Sequence, residues 1–156
     1  MRRKEKEVTD AELIREIIMA CDCCRLGFRD GNGVYIVPLN FGYDDRGEKQ
    51  VFYFHGATKG KKIDLITELG YAGFELDTNH KVNEHDIACE YSFRYQSVIG
   101  EGPISIITDR EEKREALLSI MAHYSSQEHW DFPDAALNAT AVFKLEVKGM
   151  TCKEHH

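Results

Sequence analysis

The chain has 156 residues, of which 42% are hydrophobic and 10% aromatic, a composition that suits one compact domain with a sizeable core. Its formal net charge of -7 argues against a general nucleic-acid-binding protein, because such proteins carry a basic surface. No signal-peptide pattern and no membrane-spanning apolar stretch occur, so we expect no membrane partner. We expect a single domain over residues 1–156, with residues 1–8 and 149–156 as mobile ends.

The cysteines indicate a reducing compartment. The chain contains Cys21, Cys23, Cys24, Cys89 and Cys152. An odd number of cysteines without a secretion signal favours reduced thiols in the cytoplasm. The cluster at residues 21–24 lacks the spacing of a zinc-binding pair, and no second pair follows downstream, so we expect no metal site.

The first third of the chain predicts a helix and a hairpin. Thr9-Asp10-Ala11-Glu12 has the pattern of a capping box, which predicts a helix with Thr9 as its N-cap. A strand over residues 24–29 is followed by the turn Asp30-Gly31-Asn32-Gly33, which predicts a hairpin into a strand over residues 34–43. Pro38 cannot donate to a ladder, so it marks an edge, a bulge or a break in that strand.

A basic loop follows the next predicted strand, residues 51–55. It contains Gly56 and Gly60 with Lys59, Lys61 and Lys62, and a helix is predicted to begin at about Lys61. A helix N-terminus offers unpaired N–H groups and a positive dipole end, which attract phosphate. One interpretation is therefore an anionic ligand, and the other is a solvated basic loop without a ligand. The spacing is not that of a P-loop.

The remaining elements are predicted in the following order: a strand at 71–77, a polar loop at 78–86, a long strand at 88–99, a bend at 100–103, a strand at 104–107, a helix at 109–124 with Thr108 as N-cap, a loop at 125–138 and a last strand at 139–148. Short antiparallel strands with helices over their ends favour a Greek-key-like barrel. A doubly wound parallel sheet would need a helix after almost every strand.

Several short motifs carry a family resemblance. They are Cys24-Arg25-Leu26-Gly27, Tyr35-Ile36-Val37-Pro38-Leu39-Asn40-Phe41-Gly42-Tyr43, Tyr53-Phe54-His55-Gly56-Ala57, Gly60-Lys61-Lys62 and Tyr95-Gln96-Ser97-Val98-Ile99-Gly100-Glu101-Gly102. In this order they resemble the pyridoxamine 5′-phosphate oxidase-like, FMN-binding split-barrel proteins, and within them the branch that contains the nitroimidazole-resistance proteins. The resemblance covers residues 9–147. It implies a mainly β fold: an antiparallel Greek-key split β-barrel with flanking helices.

The resemblance also implies a cofactor and a partner. FMN, or a related flavin such as FAD, would bind at the interface of a homodimer. The implied flavin-binding residues are Pro38, Leu39, Asn40 and Phe41 beside the isoalloxazine ring, His55, Gly56, Ala57, Gly60, Lys61 and Lys62 around the phosphate, and Arg94, Ser97 and Val98 from the long strand, in the same or the partner subunit.

The implied activity is that of a flavin-dependent oxidoreductase, which reduces a small substrate such as a nitro compound with electrons from a reduced nicotinamide. The Ser-Arg-Lys-Gly run of the pyridoxamine phosphate oxidases proper does not occur here, which argues against oxidation of the vitamin. The alternatives are a non-catalytic flavin- or haem-binding carrier or sensor, and a barrel that binds nothing.

Two side chains bear on this choice. His55 is the candidate catalytic residue, as a proton donor beside the flavin, and the alternative is a packed histidine bonded to the backbone. Arg94 lies among aromatic residues and needs an anionic partner, which the flavin phosphate or Glu90 could supply.

Overall fold

The computed structural model describes residues 4–156 and shows a mainly antiparallel β fold with flanking helices, as expected. The elements are β1 (Glu7–Val8), α1 (Ala11–Ala20), β2 (Cys24–Asp30), β3 (Gly33–Leu39), β4 (Gly42–Asp44), β5 (Val51–Ala57), α2 (Lys61–Leu69), β6 (Tyr71–Asn83), β7 (Ser92–Ile106), α3 (Arg110–Tyr124), α4 (Asp134–Ala139), β8 (Thr140–Glu146) and β9 (Gly149–His155). Residues 1–3, which belong to the N-terminal end that we expected to be mobile, lie outside the described residues.

The longest strand, β7, connects two parts of the sheet. It pairs with β6 on one side and, over Tyr95–Glu101, with β9 on the other. Its last residues, Ile104–Ile106, pair with β8 instead. The strand order is β3-β2-β6-β7-β8-β5-β4, with β9 beside β7 and β1 beside β9. The sheet therefore curls around one core without closing, which is the predicted split barrel.

Aromatic side chains fill the space inside the curled sheet. Phe52 and Phe54 alternate inward along β5, and neither is exposed to solvent. The ring of Phe52 lies 4.8 Å from that of Phe74, and the ring of Phe54 lies 5.6 Å from that of Phe143. Each such side chain contributes about 1.5–3 kcal/mol when it is fully buried. The helix α1 presents Ile17 and Ile18 to the same core.

Both predicted helix caps lie one residue later than expected. The N-cap of α1 is Asp10 rather than Thr9, and its carboxylate accepts a hydrogen bond of 2.8 Å from the N–H of Leu13. Likewise the N-cap of α3 is Asp109 rather than Thr108. In each case a Thr-Asp pair offers two possible caps, and the carboxylate also interacts favourably with the positive end of the helix dipole.

The β6–β7 hairpin is longer than the sequence predicted. Residues 78–83, which we expected to be a loop, continue β6 and pair with β7 after a register shift between Thr78 and Lys81. By contrast, Ala88–Glu90 forms a 3-10 turn rather than the start of a strand. The bend at residues 100–103 lies within β7 and does not interrupt it. Because residues 78–86 are polar, the sequence did not indicate that β6 and β7 extend here as a two-stranded arm whose residues pair mainly with each other.

The C-terminal segment also differs from the prediction. The expected loop contains the short helix α4, and the expected last strand ends at Glu146. Residues 149–156, which we expected to be a mobile end, instead include β9, which pairs with β7 on one edge and with β1 on the other. Cys152 of this strand is buried in the core. Among the described residues, no helix is both long and apolar enough to cross a membrane.

Candidate functional site

A break between β3 and β4 opens one edge of β5. The ladder between β4 and β5 covers only Gly42–Asp44 and Val51–Tyr53, whereas β8 pairs with β5 along its whole length. The last pair of this ladder is Gly42 with Tyr53. Asn40 precedes Gly42 by two residues and His55 follows Tyr53 by two residues, so both lie just beyond the ladder. The chain turns away into β3 at this point, so the backbone from His55 onward faces an open space. Of the three alternatives offered for Pro38, the structure shows an edge: Pro38 lies within β3, which is the edge strand beside β2, and the chain leaves the ladder only after Leu39.

Tyr124, at the end of α3, fixes the break in place. Its hydroxyl accepts a hydrogen bond of 3.1 Å from the N–H of Phe41 and donates one of 2.9 Å to the carbonyl of Asp22. It also bonds to the side chain of Asn40. Burial raises the pKa of this hydroxyl, so it stays protonated. From the sequence, Tyr124 is only the last residue of a predicted helix, because nothing in the local pattern connects it to the distant break.

In the segment from Pro38 to Phe41, one side chain is buried and the others are at least partly exposed. The side chain of Phe41 is fully buried, with its ring 4.3 Å from that of His123. Pro38 and Asn40 are exposed, and Leu39 is half-buried. A ligand beside this segment would therefore meet its backbone and the exposed side chains, whereas the ring of Phe41 anchors the segment to the core.

The helix α2 begins with free donor groups at the far end of β5. Its N-cap is Gly60, whose φ of 122° lies in a region that side chains rarely adopt, and no side chain caps the helix. The first N–H groups of a helix have no partner inside it. Unpaired N–H donors and the positive end of the helix dipole therefore lie where the loop from Ala57 to Gly60 enters α2.

The two lysines of the first turn point in different directions. Lys61 forms an ion pair with Asp30 at the β2–β3 turn, and its ammonium lies 5.1 Å from the centre of the Tyr35 ring. Lys62 extends across Gly56 instead: a Cβ atom at Gly56 would lie 2.7 Å from both Cε and Nζ of the lysine. Gly56 thus leaves the space that the Lys62 ammonium occupies, and only Lys62 keeps its charge beside β5.

His55 lies next to this cation. Partial burial lowers the pKa of the His55 imidazole below its ordinary value of 6.5, and the positive charge of Lys62 lowers it further. The imidazole is therefore neutral near pH 7 and can both donate and accept a hydrogen bond. It lies on β5 opposite Val142 of β8, so its backbone position is fixed by the sheet.

The predicted site residues lie on three parts of the fold. Asn40 and His55 each lie two residues beyond the end of the β4–β5 ladder, and Lys62 of α2 lies over Gly56 of the same strand β5. Arg94 and Ser97 lie on the first part of β7, which pairs with β6 and β9. A strand rises about 3.3 Å per residue, so Arg94 lies about 30 Å along β7 from the residues that pair with β8. Val98 is completely buried, so its side chain belongs to the core.

Metal and thiol chemistry have little support in the described part of the chain. Residues 4–156 contain no group of three or more histidine, cysteine or acidic side chains placed to hold a metal ion. All five cysteines fall within that range and are free thiols. Burial raises the pKa of Cys21 to about 12, so its thiol stays protonated and is a poor nucleophile.

Comparison with known proteins gives consistent results. The family model described as pyridoxamine 5′-phosphate oxidase matches residues 10–154. The structure of a candidate 5-nitroimidazole antibiotic resistance protein from Bacteroides thetaiotaomicron has a TM-score of 0.83 and 32% identity, covering 95% of this chain and 86% of that chain. No curated protein matches the sequence.

Two more distant structures share the fold. The flavocytochrome Anf3 of Azotobacter vinelandii has a TM-score of 0.82 at 19% identity and covers 100% of this chain and 72% of that chain. The FAD and heme binding protein of Mycobacterium smegmatis has a TM-score of 0.80 at 19% identity, covering 97% of this chain and 74% of that chain.

The geometry around His55 predicts a shift in its pKa. Replacing Lys62 by glutamine removes the nearby positive charge, so the pKa of His55 should rise toward its ordinary value, while burial still keeps it lowered. An NMR titration of the imidazole Cε1 proton measures this. The matched control is Lys61→Gln, which removes a charge already paired with Asp30 and should shift the pKa less. Equal shifts in both variants would contradict the placement of Lys62.

Proposed function

Because the chain belongs to the pyridoxamine 5′-phosphate oxidase-like family, we propose that it is a flavin-dependent oxidoreductase with FMN as its cofactor. One observation carries the proposal. The start of α2 has no side-chain cap, and the Lys62 side chain of its first turn lies over Gly56 of β5, beyond the point where the ladder between β4 and β5 ends. This arrangement fits a phosphate at the start of α2 and a flat ring along the strand break.

The phosphate would bind at the start of α2. Unpaired backbone N–H groups and the helix dipole favour an anion there, and Lys62 adds a charge that no acidic side chain in the described chain neutralises. At Gly60 a Cβ atom would meet nothing within 4 Å, so a phosphate could approach the backbone closely there. Lys61 would contribute less, because Asp30 holds it.

The ring would lie along the strand break. The backbone of His55 to Ala57 has no ladder partner on the side where β4 and β5 separate, and the same holds for residues 38–41 apart from the Phe41 N–H, which Tyr124 accepts. The remaining backbone groups would bond the polar edge of a flavin. This site ends at the phosphate-binding loop and includes no second basic cluster for an adenylate. We therefore propose FMN rather than FAD.

The chemistry would follow from the cofactor and from His55. When bound, FMN would supply the redox chemistry, hydride transfer from a reduced nicotinamide and electron transfer to an acceptor. The neutral imidazole of His55 would donate a hydrogen bond to the substrate and position it at the ring edge. A nitro compound is the proposed acceptor class, on two grounds: the similarity to the Bacteroides thetaiotaomicron protein, and the missing Ser-Arg-Lys-Gly run of the vitamin oxidases.

A homodimer is part of the proposal. The outer face of the sheet exposes Val34 by 72%, Ile36 by 62% and Ile99 by 58%. Ile36 also lines a shallow groove of about 330 Å³ whose floor includes Gly27 and Gly73. Exposed apolar side chains over a flat glycine floor suit a self-complementary interface. Such an interface could bring Ser97 of one copy near the flavin of the other.

The first prediction concerns the cofactor phosphate. Lys62→Ala should weaken FMN binding by about ten- to hundredfold, since a charge-assisted hydrogen bond contributes roughly 1.5–3 kcal/mol. Riboflavin lacks the phosphate, so its affinity should hardly change. Titration of both flavins into protein freed of cofactor measures the difference. Lys61→Ala is the matched control and should have the smaller effect on FMN. Equal losses for FMN and riboflavin would contradict a phosphate contact.

The second prediction concerns catalysis. His55→Ala should slow reoxidation of the reduced flavin by a nitroaromatic acceptor by at least about tenfold, because a positioned proton donor contributes that much or more. Stopped-flow absorbance at the flavin band measures the rate, and the unfolding midpoint should not change. The control is His85→Ala, an exposed histidine paired with Glu90 on the β6–β7 arm. A wild type that never oxidises reduced nicotinamide would instead indicate a carrier or sensor.

The third prediction concerns the dimer. Ile36→Glu places a charge on the apolar outer face and should raise the dimer dissociation constant by at least about tenfold. Sedimentation velocity at a series of protein concentrations measures the change. Leu118→Glu, on the exposed side of α3, is the control and should leave the dimer intact. A wild-type protein that sediments as a monomer at micromolar concentration with flavin bound would refute the dimer.

A further inference from the structure

A second basic cavity lies at the irregularity of the β6–β7 hairpin. This bulge cavity has a volume of about 420 Å³ and is lined by Asn79, His80, Lys81, Arg94, Tyr95 and Gln96, together with the end of β9. Its walls belong to the part of β7 that carries Arg94, away from the strand break and from α2. None of the interactions of the proposed flavin site involves these side chains.

The walls of the bulge cavity are built by a shift in strand register. Asn79 has a φ of 56°, which takes it out of the extended conformation, and pairing resumes at Lys81. The Asn79 side chain donates a hydrogen bond of 2.5 Å to the amide oxygen of Gln96, and Gln96 donates one of 3.1 Å to Glu154. Three strands are thus tied together across the cavity floor, so its shape is fixed by hydrogen bonds.

Two cations face each other at the cavity. Lys81 lies directly opposite Arg94 in the β6–β7 ladder, and like charges in that position destabilise a sheet. Arg94 donates from Nε to the side-chain oxygen of Asn83 at 2.7 Å, which orients its guanidinium but does not neutralise it. Within residues 4–156, neither cation has an acidic side chain at ion-pair distance.

The nearby carboxylates are already engaged elsewhere. Asp77 interacts with Arg25 at 2.6 Å and with His80 at 3.0 Å. Glu154 accepts the bond from Gln96 and pairs with the last histidine of the chain at 3.2 Å. Of the two anionic partners that the sequence suggests for Arg94, the flavin phosphate and Glu90, the second pairs with His85 instead. The cavity therefore lacks a protein anion between its two cations.

We propose that the bulge cavity binds a small oxyanion, the phosphate or carboxylate group of a small molecule, between Lys81 and Arg94. Such a group would offset the repulsion of the two cations through charge-assisted hydrogen bonds, and the fork of the guanidinium suits a planar or tetrahedral oxyanion. The ring of Tyr95 would lie beside the body of the ligand. This site goes beyond the proposed flavin function and assigns Arg94 a role separate from the flavin phosphate.

The test is an NMR titration of the ¹⁵N-labelled protein saturated with FMN, with inorganic phosphate, acetate or chloride as the probe at constant ionic strength. Phosphate or acetate should shift the amide signals of residues 79–81 and 96 in a saturable manner, and chloride should not. The stronger of the two probes identifies a phosphate or a carboxylate ligand. The same titration without FMN should give the same result, which keeps the test independent of the flavin.

The matched variants are Lys81→Gln and Lys49→Gln. The first should weaken binding of the effective probe by about three- to tenfold, less than for a buried contact because both cations of the cavity are exposed to solvent. The second removes a surface lysine paired with Glu146 and should change nothing. FMN affinity should be the same in both.

Three results would overturn the proposal. The first is the absence of saturable shifts at the bulge with phosphate and acetate, in protein with and without FMN. The second is an equal loss of affinity in Lys81→Gln and Lys49→Gln, which would indicate general screening. The third is a Lys81→Gln variant that binds FMN more weakly but riboflavin normally, because the cavity would then serve the flavin phosphate of a second copy.

Discussion

The passage of β7 from one part of the sheet to the other is the constraint on which the remaining structure depends. At Gly102 a Cβ atom would lie 1.9 Å from the backbone carbonyl oxygen of Glu146, so the strands can cross only where a side chain is missing. This contact sets β8 beside the end of β7, and β8 in turn fixes the register of β5. The position of His55, opposite Val142, therefore depends on a glycine that meets the same strand at Glu146.

The candidate site forms where the sheet stops. If β5 were paired along both edges, it would have no free backbone groups for a ligand. Instead β4 pairs with only the first three residues of β5, because the chain between β3 and β4 turns away from this ladder. The cost of an unpaired segment is limited by Tyr124, which accepts the N–H of Phe41, and by the burial of the Phe41 ring. Only the outward-facing backbone remains open, so the site is a rigid edge rather than a loose loop.

The sequence predicted the local features well and the long-range ones incompletely. The hairpin at Asp30–Gly33, the start of α2 at Lys61 and the edge position of the strand with Pro38 all depend on glycine, proline and charge at fixed spacing, and each is confirmed. The strand β9 was missed because it is stabilised by β7 and β1 on its two edges rather than by an apolar pattern of its own. The tether from Tyr124 could not be foreseen, since it joins residues far apart in the chain.

Residue type alone also could not show which lysine and arginine side chains have an acidic partner and which do not. Lys61 and Lys62 are adjacent and chemically identical, yet the helical turn directs one to Asp30 and the other over Gly56. The opposite occurs between β6 and β7, where the strand register places two cations that are distant in sequence, Lys81 and Arg94, opposite each other. In a chain with a net charge of -7, such unneutralised cations attract anions locally while the rest of the surface repels them. Under both proposals, anions would bind only at the few places where cations lack an acidic partner.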